Sequence, residues 1–167
     1  MFSDDNLFID YHSEKNIQHV ASVVSNLLEN HLTGGDNVPF HKENIFEKAV
    51  MPNITLKNYI YRIYRSAKPT EETIIGSIIY FDMVLKKYSD KINKRSIHRI
   101  YLVAILLASK YIEDDFFMNN DMAKFGGISL YELNRLEKKF CDWLDFDFLI
   151  FPITFNQFRK LFVKLMA

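Results

Sequence analysis

Ile97 to Asp114 reads IHRIYLVAILLASKYIED, and this stretch constrains the fold more than any other. It is long enough for about five turns of helix and apolar on nearly every side. A helix that is apolar all round must be buried all round, so the remaining elements have to pack about it as a shell. Its longest uninterrupted apolar run, Ile100 to Ala108, is far too short to span a bilayer. One cation, Lys110, sits near its end, and a downstream amphipathic helix brings an acid, Glu137. A charge in such surroundings is costly to bury alone, so these two residues need partners, and a partner can be another protein.

The rest of the chain supplies that shell. Val20, Val23, Val24, Leu27 and Leu28 recur at helical spacing and predict a helix over Asn16 to Leu32, stopped by Gly34-Gly35. A loop containing Pro39 follows, then bulky apolar residues from Phe46 to Pro52. Thr55 to Lys68 is predicted helical, with Leu56, Tyr59, Ile60, Ile63 and Tyr64 on its apolar face and Pro69 as its stop. Thr70 is positioned to cap the next helix, whose first turn carries Glu71 and Glu72 and which runs to about Tyr88. After the central helix, Asn119 to Gly127 is a loop or short helix. Ser129 and Glu132 then form an S-x-x-E capping box before Leu133, Leu136, Phe140, Cys141 and Leu144. Pro152 breaks the chain, and Thr154 to Leu165 closes it with Phe155, Phe158, Leu161, Phe162 and Leu165 apolar. No strand alternation competes, so the prediction is one all-α domain of about seven helices.

Several function classes fall away on composition. Lys plus Arg is 21 and Asp plus Glu is 21, so the chain lacks the positive footprint that nucleic-acid binding needs. Zero net charge also favours association, including self-association. Cys141 is the only cysteine, which excludes an internal disulfide and points to an intracellular, reducing setting, nuclear or cytoplasmic. The opening residues, MFSDDNLFIDYHSEK, are acidic and lack the basic-then-apolar pattern of a secretion signal. The five histidines have no ligand spacing, and a single cysteine cannot complete a zinc site. Gly126-Gly127 is no phosphate loop, because no strand precedes it and no Gly-Lys-Ser or Gly-Lys-Thr follows; it suits a tight turn. No carboxylate pair or nucleophile–base pair suggests an enzyme. His98 reads as a structural residue at a helix start. Trp143 and the phenylalanines of the last helix read as core. Glu113, Asp114 and Asp115 are unfavourable at a helix C-terminus, which hints at a basic group covering them. Taken alone, Lys110 could snorkel to water and Glu137 could be a solvated helix residue.

Their setting changes that reading. From about Met51 to Leu149 the chain resembles a cyclin box, and within the cyclins it is similar to the P-type, phosphate-pathway group. The pieces occur in the family's order: PNITLKNYIYRI (Pro52 to Ile63), IIYFD (Ile78 to Asp82), IHRIYLVAILLASKYIED, NNDMAKFGGI (Asn119 to Ile128) and ELNRLEKKF (Glu132 to Phe140). The resemblance implies a single five-helix cyclin box over 51–151, with an N-terminal helix and loop extension over 1–50 and a C-terminal helix over 152–167. It implies no catalytic residue and no cofactor. It implies a regulatory subunit that binds a cyclin-dependent protein kinase and positions that kinase's mobile helix and activation segment. By position, the lysine of A-S-K and the glutamate of L-E in the family correspond to Lys110 and Glu137, which would face the kinase together. Leu107, Tyr111, Cys141, Phe146 and Phe148 would be the apolar docking positions around them.

The chain also departs from the mitotic cyclins. Their Met-Arg-Ala-Ile-Leu opening is replaced by Pro52-Asn53-Ile54-Thr55-Leu56. Without that arginine, Asp82 needs another partner. An acidic position of their substrate-docking groove falls on Arg62, which reverses the local charge and disfavours basic substrate motifs. The alternative within the superfamily is a cyclin-like interaction domain of the transcription-factor type, working without a kinase.

Overall fold

The computed structural model describes residues 10–32 and 37–167. The acidic residues 1–9 and the Gly34-Gly35 helix stop lie outside the described residues. The described chain is all-helical: α1 (Glu14–Glu29), α2 (Leu56–Ala67), α3 (Glu71–Tyr88), a 3-10 turn (Ser89–Lys91), α4 (Ile97–Ile112), α5 (Asn119–Gly126), α6 (Leu130–Trp143) and α7 (Pro152–Met166).

Local chemistry sets these boundaries. Ser13, Thr55, Thr70 and Ser129 each turn a side-chain oxygen toward a backbone N–H three residues on, so each begins a helix. The Ser13 cap starts α1 two residues earlier than the apolar spacing predicts. α2 ends where Lys68 takes a left-handed conformation (φ 48°) ahead of Pro69. Pro152 does not merely interrupt the chain; it stands in the first turn of α7, where its missing N–H costs nothing.

As the apolar run requires, α4 is the axis of the bundle. Of its sixteen residues only Arg99, Lys110, Tyr111 and Ile112 keep appreciable surface. α3 packs along it most extensively, α2, α5 and α6 close around it, α1 lies on α2, and α7 lies on α3 and α1. The buried face of α7 is Phe162 and Met166, with Phe155 and Phe158 packed at the margin. Leu161 and Leu165, expected on the apolar side, point out at 44% and 40% exposure. Trp143 is core, stacked on Tyr88 and against Phe46. Inside the bundle, Tyr64, Tyr101 and Ser77 share hydroxyl hydrogen bonds, and Ser77 donates onward to the Ile74 carbonyl. These bonds let three polar groups be buried without an orphan.

Two partnerships differ from the sequence reading, and a third supplies the partner it left open. Among the described residues no base meets Glu113; its carboxylate accepts from the hydroxyls of Thr70 and Thr73 at the positive end of α3. Ser129 receives the Glu132 N–H (3.1 Å), but the Glu132 carboxylate pairs with Arg99 (2.5 Å). The capping box is therefore used on one side only. Asp82 finds its partner one turn along its own helix, in Lys86 at 2.9 Å.

Candidate partner-docking face

α4 delivers Lys110 in its last turn, where a cation suits the helix dipole, and α6 packs against α4 so that Glu137 meets it. Lys110 Nζ donates to Glu137 Oε2 at 2.6 Å. The Asn119 amide, from the start of α5, donates to Glu137 Oε1 (3.1 Å) and to Asn134 (2.8 Å). The side chains keep 26% and 19% of their surface, so the pair is largely dehydrated yet still reachable. An ammonium has three donors, and this one has free capacity for acceptors on another molecule.

Aromatic surface adjoins the pair. Tyr111, next in sequence to Lys110, is 55% exposed and stacks on Phe148, with ring centroids 4.1 Å apart. Phe148 is fixed in turn by Tyr80, whose hydroxyl donates to the Phe148 carbonyl (2.8 Å) and whose ring meets Phe148 edge-on. Burial pushes the Tyr80 and Tyr111 hydroxyls upward, so both are neutral donors at physiological pH. Beyond α6, Asp145 and Phe146 take left-handed backbone (φ 52° and 55°), and the Phe146 N–H closes back on the Cys141 carbonyl (2.9 Å). A bulky residue rarely adopts this conformation. Here it turns the Phe146 ring out to 63% exposure, while Lys87 holds Asp145 from α3 (3.1 Å).

The structure thus brings Lys110, Glu137, Tyr111, Phe146 and Phe148 to one face. Leu107 (2% exposed) and Cys141 (9%) lie beneath that face and support it, with little surface to offer a partner. Burial pushes the Cys141 thiol up to about 11, with the Glu137 carboxylate adding to the rise, so it is not a reactive thiolate. Sequence reasoning passed over Leu149, Phe151 and Ile153, all more than 60% exposed. With Tyr111, Phe146 and Phe148, Leu149 borders a groove of about 710 Å³ that continues to Pro152 and Phe155 on α7. The signal was present as an unbroken apolar string, Phe148 to Phe151, directly before a helix-starting proline. No group of acids, histidines or cysteine among the described residues is arranged to hold a metal ion.

A half-buried ion pair beside exposed aromatic side chains is the make-up typical of protein-binding surfaces. Comparison with known proteins names the family. A sequence model of the cyclins matches residues 13–148. The chain belongs to the cyclin family. Cyclin-U4-1 of Arabidopsis thaliana is 29% identical over 155 residues, covering 92% of this chain and 77% of that protein. The PHO85 cyclin-like protein psl1 of Schizosaccharomyces pombe is 29% identical over 153 residues, covering 84% of this chain and 63% of its own length. PHO85 cyclin-7 of Saccharomyces cerevisiae is 29% identical over 126 residues, which is 68% of this chain but 44% of that relative. U-type and PHO85 cyclins are the group that the sequence resembles. Among the described residues no helix of this cyclin is long and apolar enough to cross a membrane.

Proposed function

We propose that this cyclin binds a cyclin-dependent protein kinase through the Lys110–Glu137 face and activates it. The observation that carries the reading is the 2.6 Å ion pair beside the exposed aromatic side chains of Tyr111 and Phe146. Lys110 offers N–H donors to carbonyls at the end of the kinase's mobile helix, and Glu137 accepts from N–H groups there. Charge-assisted bonds of this kind are strong and directional. Tyr111, Phe146, Phe148 and the adjoining groove take apolar side chains of the same helix. Lys110 and Glu137 hold one another meanwhile, so neither waits as an unpaired charge.

Activation follows from differential binding. A kinase orients ATP only when its strand lysine is paired with the glutamate of its mobile helix. A partner that contacts the helix only in that position adds its binding energy to that state alone and shifts the population toward it. No group of the cyclin needs to touch ATP or substrate. The test is co-purification with the cyclin-dependent kinases of the source cell, followed by phosphotransfer with and without the cyclin. A kinase that is bound and gains activity on mixing supports the reading; no bound kinase, or binding without any gain, overturns it.

A further inference from the structure

The face that holds Lys110 and Glu137 exposes much apolar surface. Tyr111, Phe146 and Leu149 border its groove, and Phe151 and Ile153 stand on either side of Pro152 at the groove's far end. All five are more than half exposed. Between them they leave on the order of 500 Å² of apolar surface in water. That is the upper range for the largest patch on a lone monomer. It also matches what a dimer needs. Homodimer interfaces are about 65% apolar, so about 500 Å² of apolar surface goes with about 800 Å² per copy, the standard size of a stable interface.

The charges on this face complement themselves. Lys110 Nζ and Glu137 Oε2 lie 2.6 Å apart, and the Asn119 amide steadies the carboxylate from its other oxygen. A two-fold axis lying in the interface, and crossing the line from Lys110 to Glu137, sets the lysine of one copy against the glutamate of the other, twice over. Both groups have capacity for this. The ammonium has donors to spare, and each carboxylate oxygen has a second lone pair. A face with one sign of charge would repel its own copy; this one does not. The whole chain adds no long-range repulsion either, with 21 bases against 21 acids. The same patch is used on both copies, so assembly stops at two.

We propose that, when no kinase is present, this cyclin pairs with a second copy of itself through the Lys110–Glu137 face as a closed two-fold dimer. The dimer does not rest on the kinase reading, but one consequence does. While two copies cover the face, neither presents it to a kinase, so the dimer is a resting form that kinase binding takes apart.

Sedimentation velocity on the full chain, between about 1 and 100 µM, reads the assembly. The mass rises reversibly from 19.8 kDa toward twice that value and no further. Leu149→Asp, in the exposed segment before α7, weakens pairing at least about tenfold with the circular dichroism unchanged. A charge exchange tests where the copies meet. The Lys110→Glu, Glu137→Lys double variant keeps an ion pair within the chain, and it pairs with itself within about threefold of the parent. Mixed with the parent it sets like charges against each other, so energy transfer between labelled chains shows cross-pairing at least about fivefold weaker than parent with parent. If the exchanged chain fails to fold, Phe146→Asp takes its place, since aspartate tolerates the left-handed backbone there, and it weakens pairing as Leu149→Asp does. A monomer throughout, growth beyond two copies, an undiminished dimer in the Asp variants, or free cross-pairing of parent and exchanged chains would each overturn the proposal. Where a kinase is bound, the complex holds one cyclin per kinase; two cyclins still paired within it would overturn the resting form. A cyclin that dimerises as described but binds no kinase overturns the kinase reading and leaves the dimer standing.

Discussion

Gly126→Ala and Gly127→Ala should differ sharply although the residues are neighbours. A Cβ on Gly126 falls 2.3 Å from Leu102 Cδ2, 2.9 Å from Leu102 Cδ1 and 3.1 Å from the Tyr59 hydroxyl. Leu102 is fully buried in α4 and has nowhere to move. Overpacking of this kind costs about 1–3 kcal/mol. The same Cβ crowds the Tyr59 hydroxyl, which donates to the Gly126 carbonyl at 3.0 Å inside the core, and loss of that bond adds about 1 kcal/mol. Helix propensity returns less than about 1 kcal/mol, because Gly126 is the last residue of α5. The sum is about 1–4 kcal/mol of destabilisation. At Gly127 the backbone is left-handed (φ 68°), which costs an alanine about 1 kcal/mol. Its Cβ meets only the Arg62 guanidinium at 2.9 Å, the far end of a flexible, exposed side chain that can swing away. Urea unfolding followed by circular dichroism reads the difference as a midpoint shift at constant slope. Gly127→Ala proving the more damaging of the two, or Gly126→Ala proving neutral, would refute the packing argument.

Further outcomes follow from the same geometry. Lys110→Ala and Glu137→Ala should each destabilise the free chain by about 1–3 kcal/mol, and the double variant by less than the sum, as a double-mutant cycle in urea will show. Tyr111→Ala should cost the free chain less than about 1.5 kcal/mol, since the ring is half exposed, yet weaken kinase binding by more than that. The His41 ring and backbone and the Asn93 amide overcome the effect of burial and hold the Glu47 carboxyl below its usual range. Its stabilising contribution is therefore present above the unfolded-state value of about 4.3 and lost as pH falls through the depressed one. Glu47→Gln should melt lower than the parent at pH 7, with the gap narrowing on acidification.

Helix content was legible because it rests on local rules. Thr55, Thr70 and Ser129 cap the helices that they precede, and the apolar run of α4 dictated its central place. What could not be read depends on distant partners. Nothing around Ser129 reveals that Glu132 leaves it for Arg99, more than thirty residues away. Nothing around Glu113 reveals the Thr70 and Thr73 hydroxyls that receive it. Periodicity could not separate Leu161 from Phe162, since which neighbour turns inward depends on how α7 lies on α3. The candidate face was half legible. Lys110 and Glu137 were visible through their family setting, and the structure adds that they touch. Leu149, Phe151 and Ile153 went unread because an exposed apolar string looks like core until the surrounding packing is known.

Kinase docking on the Lys110–Glu137 face is the proposal on which the proposed function depends. Calorimetric titration of the co-purifying kinase with the parent cyclin and with the Lys110→Ala, Glu137→Ala variant tests it most directly. A correctly folded variant should lose about 2–5 kcal/mol in binding free energy. A variant that binds as tightly as the parent, and still activates the kinase, would contradict it.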